Sequence, residues 1–412
     1  MGFQSGLSGL NTASKSLDVI GNNVANASVV GFKGSQAQFA DVFANSLAGG
    51  GASQIGIGSK IATVAQMFSQ GNISVTSNPL DVAINGKGFF RLDDDGAVTY
   101  SRNGQFSFDS QGFLVNNQGL SLTGHLADTN GNILPSAPAP IQISFSDIAP
   151  QTTTDFRLGM NFDARQSEPS AAAFDPDTPQ SYNFSTSGSV YDTLGNAHVF
   201  SVYMVKTATP GEWEMYGSVD GTNLTDADLG AGAGNPVTLT FNSSGALTTT
   251  MPLDVSLTIA GGAVSPLAFE FDLSGSTQYG SQFGVNDLTQ DGFSSGRLAG
   301  FNIGDDGIIV GRYTNGQSRN LAQIVLADFR NPQGLRPIGD NLWEETSASG
   351  LPIVATPGTG SVGVLQSSAV EDANVDLTAE LVNMITAQRI YQANAQTIKT
   401  QDAMLQTLVN LR

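Results

Sequence analysis

Gly292-Phe293-Ser294-Ser295-Gly296 has the spacing G-x-S-x-G, in which a serine between two glycines can present its hydroxyl as an acyl-transfer nucleophile. Such a serine needs a histidine base, and in folds built around this turn the histidine follows it in the chain. His125 and His198, the two histidines, both precede it, so the segment reads as a glycine-flanked turn. Gly358-Thr359-Gly360-Ser361-Val362-Gly363 matches G-x-G-x-x-G, but a dinucleotide site requires a βαβ unit, and here Pro357 and a Ser-rich stretch flank the glycines. That segment reads as linker. Asp93-Asp94-Asp95-Gly96 offers carboxylates for calcium without the twelve-residue ligand pattern or its terminal Glu, and reads as a hairpin turn. His125 and His198 have no helical partner at i+4 and are assigned surface or turn roles. Without cysteine, thiol catalysis, disulfides and cysteine-held metals are excluded. No catalytic residue, metal or cofactor is expected.

The pattern that does recur is apolar. Phe3, Leu10, Leu17 and Val24 repeat every seven residues, with Leu7, Ala13 and Ile20 beside them. Leu377, Met384, Tyr391, Ile398 and Leu405 repeat in the same way near the other end, flanked by Leu381, Ala395, Leu408 and Val409. Both stretches predict amphipathic helices whose stripes must be buried against something. The most economical partners are each other and copies in neighbouring subunits. The opposite faces carry Ser, Thr, Asn and Gln rather than charge, which suits helices packed among similar helices. The first helix should end near Asn22-Asn23-Val24-Ala25-Asn26, because asparagines compete with helix backbone bonds and accept left-handed turns. Asp376 sits where an N-cap is expected, with Glu380 in the first turn of the second helix.

Between these helices the chain reads as β. Its 412 residues are too many for one ordinary core, and 48 glycines with only 13% charged residues point to many turns. Asp95-Gly96 and Asp306-Gly307 predict hairpins between apolar runs. Ile141 to Phe145, Val199 to Val205, Val237 to Phe241, Val255 to Ile259, Leu267 to Leu273 and Ile324 to Phe329 are further strand candidates. The net charge of -19 argues against nucleic acid, and it is uneven: Pro150 to Gln290 holds fifteen acidic and three basic residues. No apolar run is long enough for a membrane span, and the first twenty residues do not read as a cleavable signal peptide. The expected fold is mixed. N- and C-terminal α-helices, 1–27 and 370–412, form a coiled-coil-like terminal domain. Linkers cover 28–70, including Gly49-Gly50-Gly51, and 358–369. A discontinuous, mainly antiparallel β domain spans 71–148 and 286–357, and an acidic β domain is inserted at 149–285.

Several segments together resemble the axial proteins of the bacterial flagellum, and most closely its hook subunits. At the front these are Ser8-Gly9-Leu10-Asn11, Leu17 through Asn22, Asn23 and Asn26, and Gly31-Phe32-Lys33. At the back they are Asn374-Val375-Asp376-Leu377, Glu380-Leu381-Val382, Met384-Ile385, Ala387-Gln388-Arg389 and Tyr391 through Ala395. The ends resemble the wider rod and hook family. The hook likeness comes from Gly88-Phe89-Phe90, Tyr100 through Phe106, Leu114 through Gly124, Val190-Tyr191-Asp192, Leu194 through His198, Leu326-Ala327, Phe329 and Gly334-Leu335. It is weakest across Ala149 to Gln180 and Gly221 to Gly262, and Ala373 stands where the family usually has Ser. The resemblance implies a non-enzymatic homo-polymer, a curved tube that links rod to filament and transmits torque. Its implied partners are rod, hook cap and hook-filament junction proteins and the flagellar type III export apparatus, with export lacking a cleaved signal peptide. A distal rod subunit or an extracellular β-sandwich adhesin is the alternative; the long acidic insertion favours hook over rod.

Overall fold

The computed structural model describes residues 2–42, 56, 58–171, 173–224, 236–259 and 261–410, the side chains of residues 2 and 408–410 excepted. It divides into two units, one of Met1–Phe145, Gly300–Arg312 and Ser318–Arg412, the other of Ser146–Ala299 and Tyr313–Gln317.

The first unit carries both long helices, α1 (Gly2–Ala25) and α2 (Leu377–Asn410). α1 ends where the asparagines predict: the Asn26 side chain donates to the Asn22 carbonyl at 2.9 Å and to its Oδ1 at 3.0 Å. Gly31 follows with φ +72°, and a Cβ there would lie 2.6 Å from the Asn103 backbone nitrogen, so both conformation and space demand glycine. The expectation of a linker over 28–70 is corrected. β1 (Ser35–Val42) and β2 (Gly58–Gln66) form a long antiparallel hairpin, bulged between Gln38 and Phe39, beside α1. Ser59 N–H donates to Ser8 Oγ at 3.3 Å. The hairpin hid because its connection is too long for a two-residue turn to set the register of the strands; Gly49-Gly50-Gly51 lies outside the described residues.

The segment 358–369 is likewise not a linker throughout. Val364–Ser367 pairs with β4 (Val82–Asn85), and Ala369–Glu371 pairs with β3 (Ile73–Val75). β4 is buried at Val82, Ala83 and Ile84, so its partner strand is needed to satisfy its backbone. The body of the unit is a sheet of 13 strands among the described residues. Asp95 and Gly96, both at positive φ, turn β5 (Phe89–Asp94) into β6 (Ala97–Ser101) as predicted. Ile141 to Phe145 departs from expectation: Gln142 makes one isolated bridge to Phe113, and the short strand there is Ala139–Pro140. Phe89, Tyr100, Ala327, Phe329, Leu335 and Trp343 form a buried cluster, with ring centroids such as Tyr100–Phe329 at 4.8 Å in edge geometry.

In the second unit two five-stranded sheets share one core. Asp155–Asp163 pairs parallel with Leu267–Asp272 and antiparallel with Gly284–Gln290. The second unit thus takes 146–148, 286–299 and 313–317 from the discontinuous domain to which the sequence assigned them. The other sheet holds Phe184–Tyr191, Ala197–Lys206, Glu212–Val219, Thr222–Asn223 and Val237–Thr240. Alternation places Phe200, Val202 and Met204 inward, and Phe156–Phe200 and Phe162–Trp213 join the two sheets at 5.6 and 5.3 Å.

Candidate assembly site

α1 and α2 pack antiparallel. Gly6 faces Ile398, Gly9 faces Asn394, and Asn23 hydrogen-bonds Glu380 at 3.0 Å. A Cβ at Gly9 would stand 2.7 Å from Asn394 Oδ1, so the backbones are close enough that small residues are required. The innermost line of α1 is therefore Gly6, Ala13 and Ile20, itself a seven-residue repeat, with Ala387 buried opposite on α2. Sequence reasoning placed the seam one row over. Of its residues, Ile20 is buried and Leu10, Leu17, Val24, Met384 and Ile398 are half-buried. Phe3 (48% exposed), Leu7, Leu377, Leu381, Tyr391 and Leu405 (57%) face outward, and the Val409 side chain lies outside the described residues. The physical reason is close approach: leucines at the centre would hold the helices apart, so they flank the seam and present apolar surface outward.

Below the helices, one carboxylate gathers four chain segments. Glu371 Oε1 accepts from Lys33 Nζ at 2.6 Å and from Gly71 N–H at 2.8 Å, while Oε2 accepts from Arg102 Nη1 at 2.9 Å. Its backbone carbonyl takes the Gly31 N–H at 2.7 Å. The Lys33 and Glu371 side chains are fully buried and Arg102 is nearly so. Lys33 Nζ also donates to Ser69 O, and Arg102 Nη2 to Gly86 O. Burial pushes the Lys33 ammonium below the ordinary lysine range, against the pull of the Glu371 charge. A charge buried this way persists only because each partner is multiply hydrogen-bonded. Neither Glu371 nor the role of Arg102 was found from sequence, since the ion pairs join residues 338 and 269 positions apart.

The asparagines of the terminal motifs lock the same region. Asn23, buried, donates to Ser35 O at 2.8 Å and accepts from Ser35 N–H at 2.9 Å. Asn374 accepts from Gly34 N–H at 2.7 Å and donates to Met67 O and Ser69 Oγ. Asp376 caps α2, its Oδ1 accepting from Thr378 N–H at 2.8 Å and Ala379 N–H at 3.2 Å. Phe32 is half-buried and lines a cleft with Asn22, Asn26 and Trp343. Gln388 and Arg389 are exposed on α2 and are not brought into this network. A groove of about 510 Å³ opens between α1, β1 and the start of α2, lined by Val19, Ile20, Met67, Ala379, Ala387 and Ile390 among others.

The residues weighed for chemistry sit in structural roles. Gly292 to Gly296 is bridged at both ends, Phe293 to Gln151 and Gly296 to Ile148, and Ser294 O accepts from Asn315 Nδ2 at 2.7 Å. His125 and His198 occupy strands, Ser121–Leu126 and Ala197–Lys206, not turns. His198 bridges Asp220 at 2.7 Å and Asp192 at 3.4 Å. No helix among the described residues is long and apolar enough to cross a membrane.

Four family descriptions match successive parts of the chain: Flagella basal body rod protein over 3–33, Flagellar hook protein FlgE/F/G D1 domain over 83–159, Flagellar basal body protein FlaE D2 domain over 161–293, and Flagellar basal body rod FlgEFG protein C-terminal over 366–411. The chain is 43% identical to the flagellar hook protein FlgE of Escherichia coli (strain K12), covering 100% of both chains. It is 31% identical to that of Borreliella burgdorferi over 99% of this chain and 98% of the relative. The crystal structure of Helicobacter pylori flagellar hook protein FlgE2 superposes with a TM-score of 0.52 at 15% identity, covering 72% of this chain and 100% of that one, which shows a shared fold. The likeness spans helical ends, β body and acidic second unit alike, and the chain belongs to the flagellar hook protein family, whose members are structural subunits and not enzymes.

Proposed function

We propose that the chain polymerises head to tail into a curved, flexible tube that joins rod to filament and transmits torque, and that its paired terminal helices make the contacts that hold. The observation that carries this reading is the apolar surface left outward on both helices of one folded chain: Phe3, Leu7, Leu381, Ile385, Ile390 and Leu405 are all exposed. Burying a Leu contributes about 1.5–3 kcal/mol. An interface that repeats without closing gives a helical polymer. The acidic second unit, by contrast, offers exposed charge pairs that contribute at most about 1 kcal/mol each and exchange with water, which suits contacts that slide as the tube bends. Rod, hook cap and hook-filament junction proteins are the proposed neighbours, and the flagellar type III apparatus the proposed route out, without a cleaved signal peptide. The distal-rod and adhesin alternatives are not favoured, because the similarity to hook proteins runs the full length.

The test is substitution of Leu17→Asp or Leu405→Asp in the full chain, with electron microscopy of the assembled protein and circular dichroism of the subunit. Loss of tubes with an unchanged spectrum is expected. Normal curved tubes from either variant would sink the proposed role of the helices.

A further inference from the structure

The buried ion cluster below the helices brings two cations to one carboxylate. Lys33 and Arg102 both meet Glu371, and the three side chains are at most 5% exposed. Asp328 also acts on Arg102, whereas the charges acting on Lys33 are those of Glu371 and Arg102. A charge left unbalanced in the interior is shed where it can be, and a guanidinium keeps its proton. Lys33 is therefore the group that gives up a proton, which leaves a neutral, nucleophilic amine. Its Nζ donates to Glu371 Oε1 at 2.6 Å and to Ser69 O at 2.8 Å. A neutral amine has two N–H bonds, so both are used and the lone pair is left over.

An electrophile lies beside that lone pair. Asn374 Nδ2 donates to the same Ser69 oxygen at 3.1 Å, so its amide and the Lys33 amine share one acceptor. The amide is also held as acyl transfer requires. Its Oδ1 accepts from Gly34 N–H at 2.7 Å, a donor placed to take up negative charge on that oxygen. Its nitrogen donates to Met67 O and Ser69 Oγ at 2.6 and 2.9 Å, which fixes the plane of the amide. Glu371 already accepts from Lys33 Nζ and lies three residues before Asn374, so it can carry a proton between the two nitrogens. We propose that Lys33 and Asn374 become joined by an intramolecular amide bond, formed by the folded chain without a cofactor. Lys33 Nζ attacks Asn374 Cγ, and charge passes to Oδ1 under the Gly34 N–H. One proton of Nζ goes to Glu371 Oε1 and from there to Asn374 Nδ2; the Cγ–Nδ2 bond breaks and ammonia leaves. Nothing is oxidised or reduced. The hydrogen bonds given above belong to the chain before this step, so freshly folded protein holds the ion pair and the linked form accumulates on standing. The link ties residue 33, just after α1, to residue 374, just before α2, and a pull that separates the two segments then falls on a covalent bond.

The inference does not depend on polymerisation, and its test is the mass of the full chain. Purified protein, shown folded by circular dichroism, is kept for days near neutral pH and then weighed intact and after trypsin. The linked chain should be lighter than its sequence by one ammonia. Trypsin does not cut after an acylated lysine, so 16–60 and 331–389 should appear as one branched species, with fragmentation placing the branch at Lys33 and Asn374. Lys33→Arg keeps the cation and its hydrogen bonds but has no attacking amine, and should retain the full mass. A wild-type chain that keeps its full mass and is cut after Lys33 overturns the proposal. So does an ammonia lost elsewhere, such as a succinimide at an Asn-Gly pair, which leaves 16–33 and 34–60 as separate peptides.

Discussion

At the scale of single residues, Glu371 is the side chain whose loss should be felt most. Glu371→Gln leaves Lys33 and Arg102 buried without a counter-charge, and removing one partner of a buried pair costs about 3–5 kcal/mol. Lys33→Met, which leaves the Arg102–Glu371 pair balanced, should cost clearly less; urea unfolding of the two variants checks the order. His198 gives a pH-dependent case. Its hydrogen bond to Asp220, opposed by burial and aided by Asp192, raises its pKa above the ordinary histidine value. The stabilisation is thus complete below about pH 6.5 and is lost as pH rises through the higher folded value. The stability difference between the wild-type chain and His198→Gln should shrink from pH 6 to pH 9, measured by thermal unfolding; a constant difference would contradict the bridge. Of these residues, Gly31 and Lys33 were visible in the sequence as part of a motif. Their reasons were not, because Asn103 and Glu371 meet them only after the chain has folded back on itself.

Among the elements, the helices were legible because a seven-residue apolar repeat survives in one dimension. What that repeat could not reveal is which row is innermost, since close approach selects glycine and alanine, and these carry no hydrophobic signal. Gly9→Val should therefore open the seam, with loss of helical signal and of tubes, whereas the exposed Gln388→Ala should do neither. The α2 cap was legible from Asp376 alone. Asp376→Ala should cost about 1 kcal/mol and speed amide exchange at Thr378 and Ala379, leaving the rest of α2 protected. Tight hairpins such as Asp95-Gly96 announce themselves in adjacent residues, whereas β1 and β2 pair across a connection too long for a turn dipeptide to set their register.

For the whole molecule, the sequence distinguished helical ends, a β body and an acidic second β unit, and it erred where strands pair across long separations. Val364–Ser367 looked like linker because its partner, Val82–Asn85, is nearly three hundred residues earlier. That correction fixes where the body can be cut. A fragment from Gly71 to Asp372 keeps Val364–Ser367, Ala369–Glu371 and the Arg102–Glu371 pair, and should be a soluble, cooperatively unfolding monomer with a β-type dichroism spectrum. Ending the fragment at Pro357 strips β4 and bares Val82 and Ile84, so it should aggregate or melt well below the longer one; equal melting would refute the pairing.

The carboxylate that gathers four segments also imposes an order of events. Glu371 is synthesised 338 residues after Lys33. Until then an ammonium destined for the interior has no anion to meet, and α1 has no α2. Contacts this distant in sequence form late and close slowly. The helix pair thus forms only after Glu371 has arrived: a product interrupted before that residue can fold parts of its β units, yet has no α2 on which to pack α1.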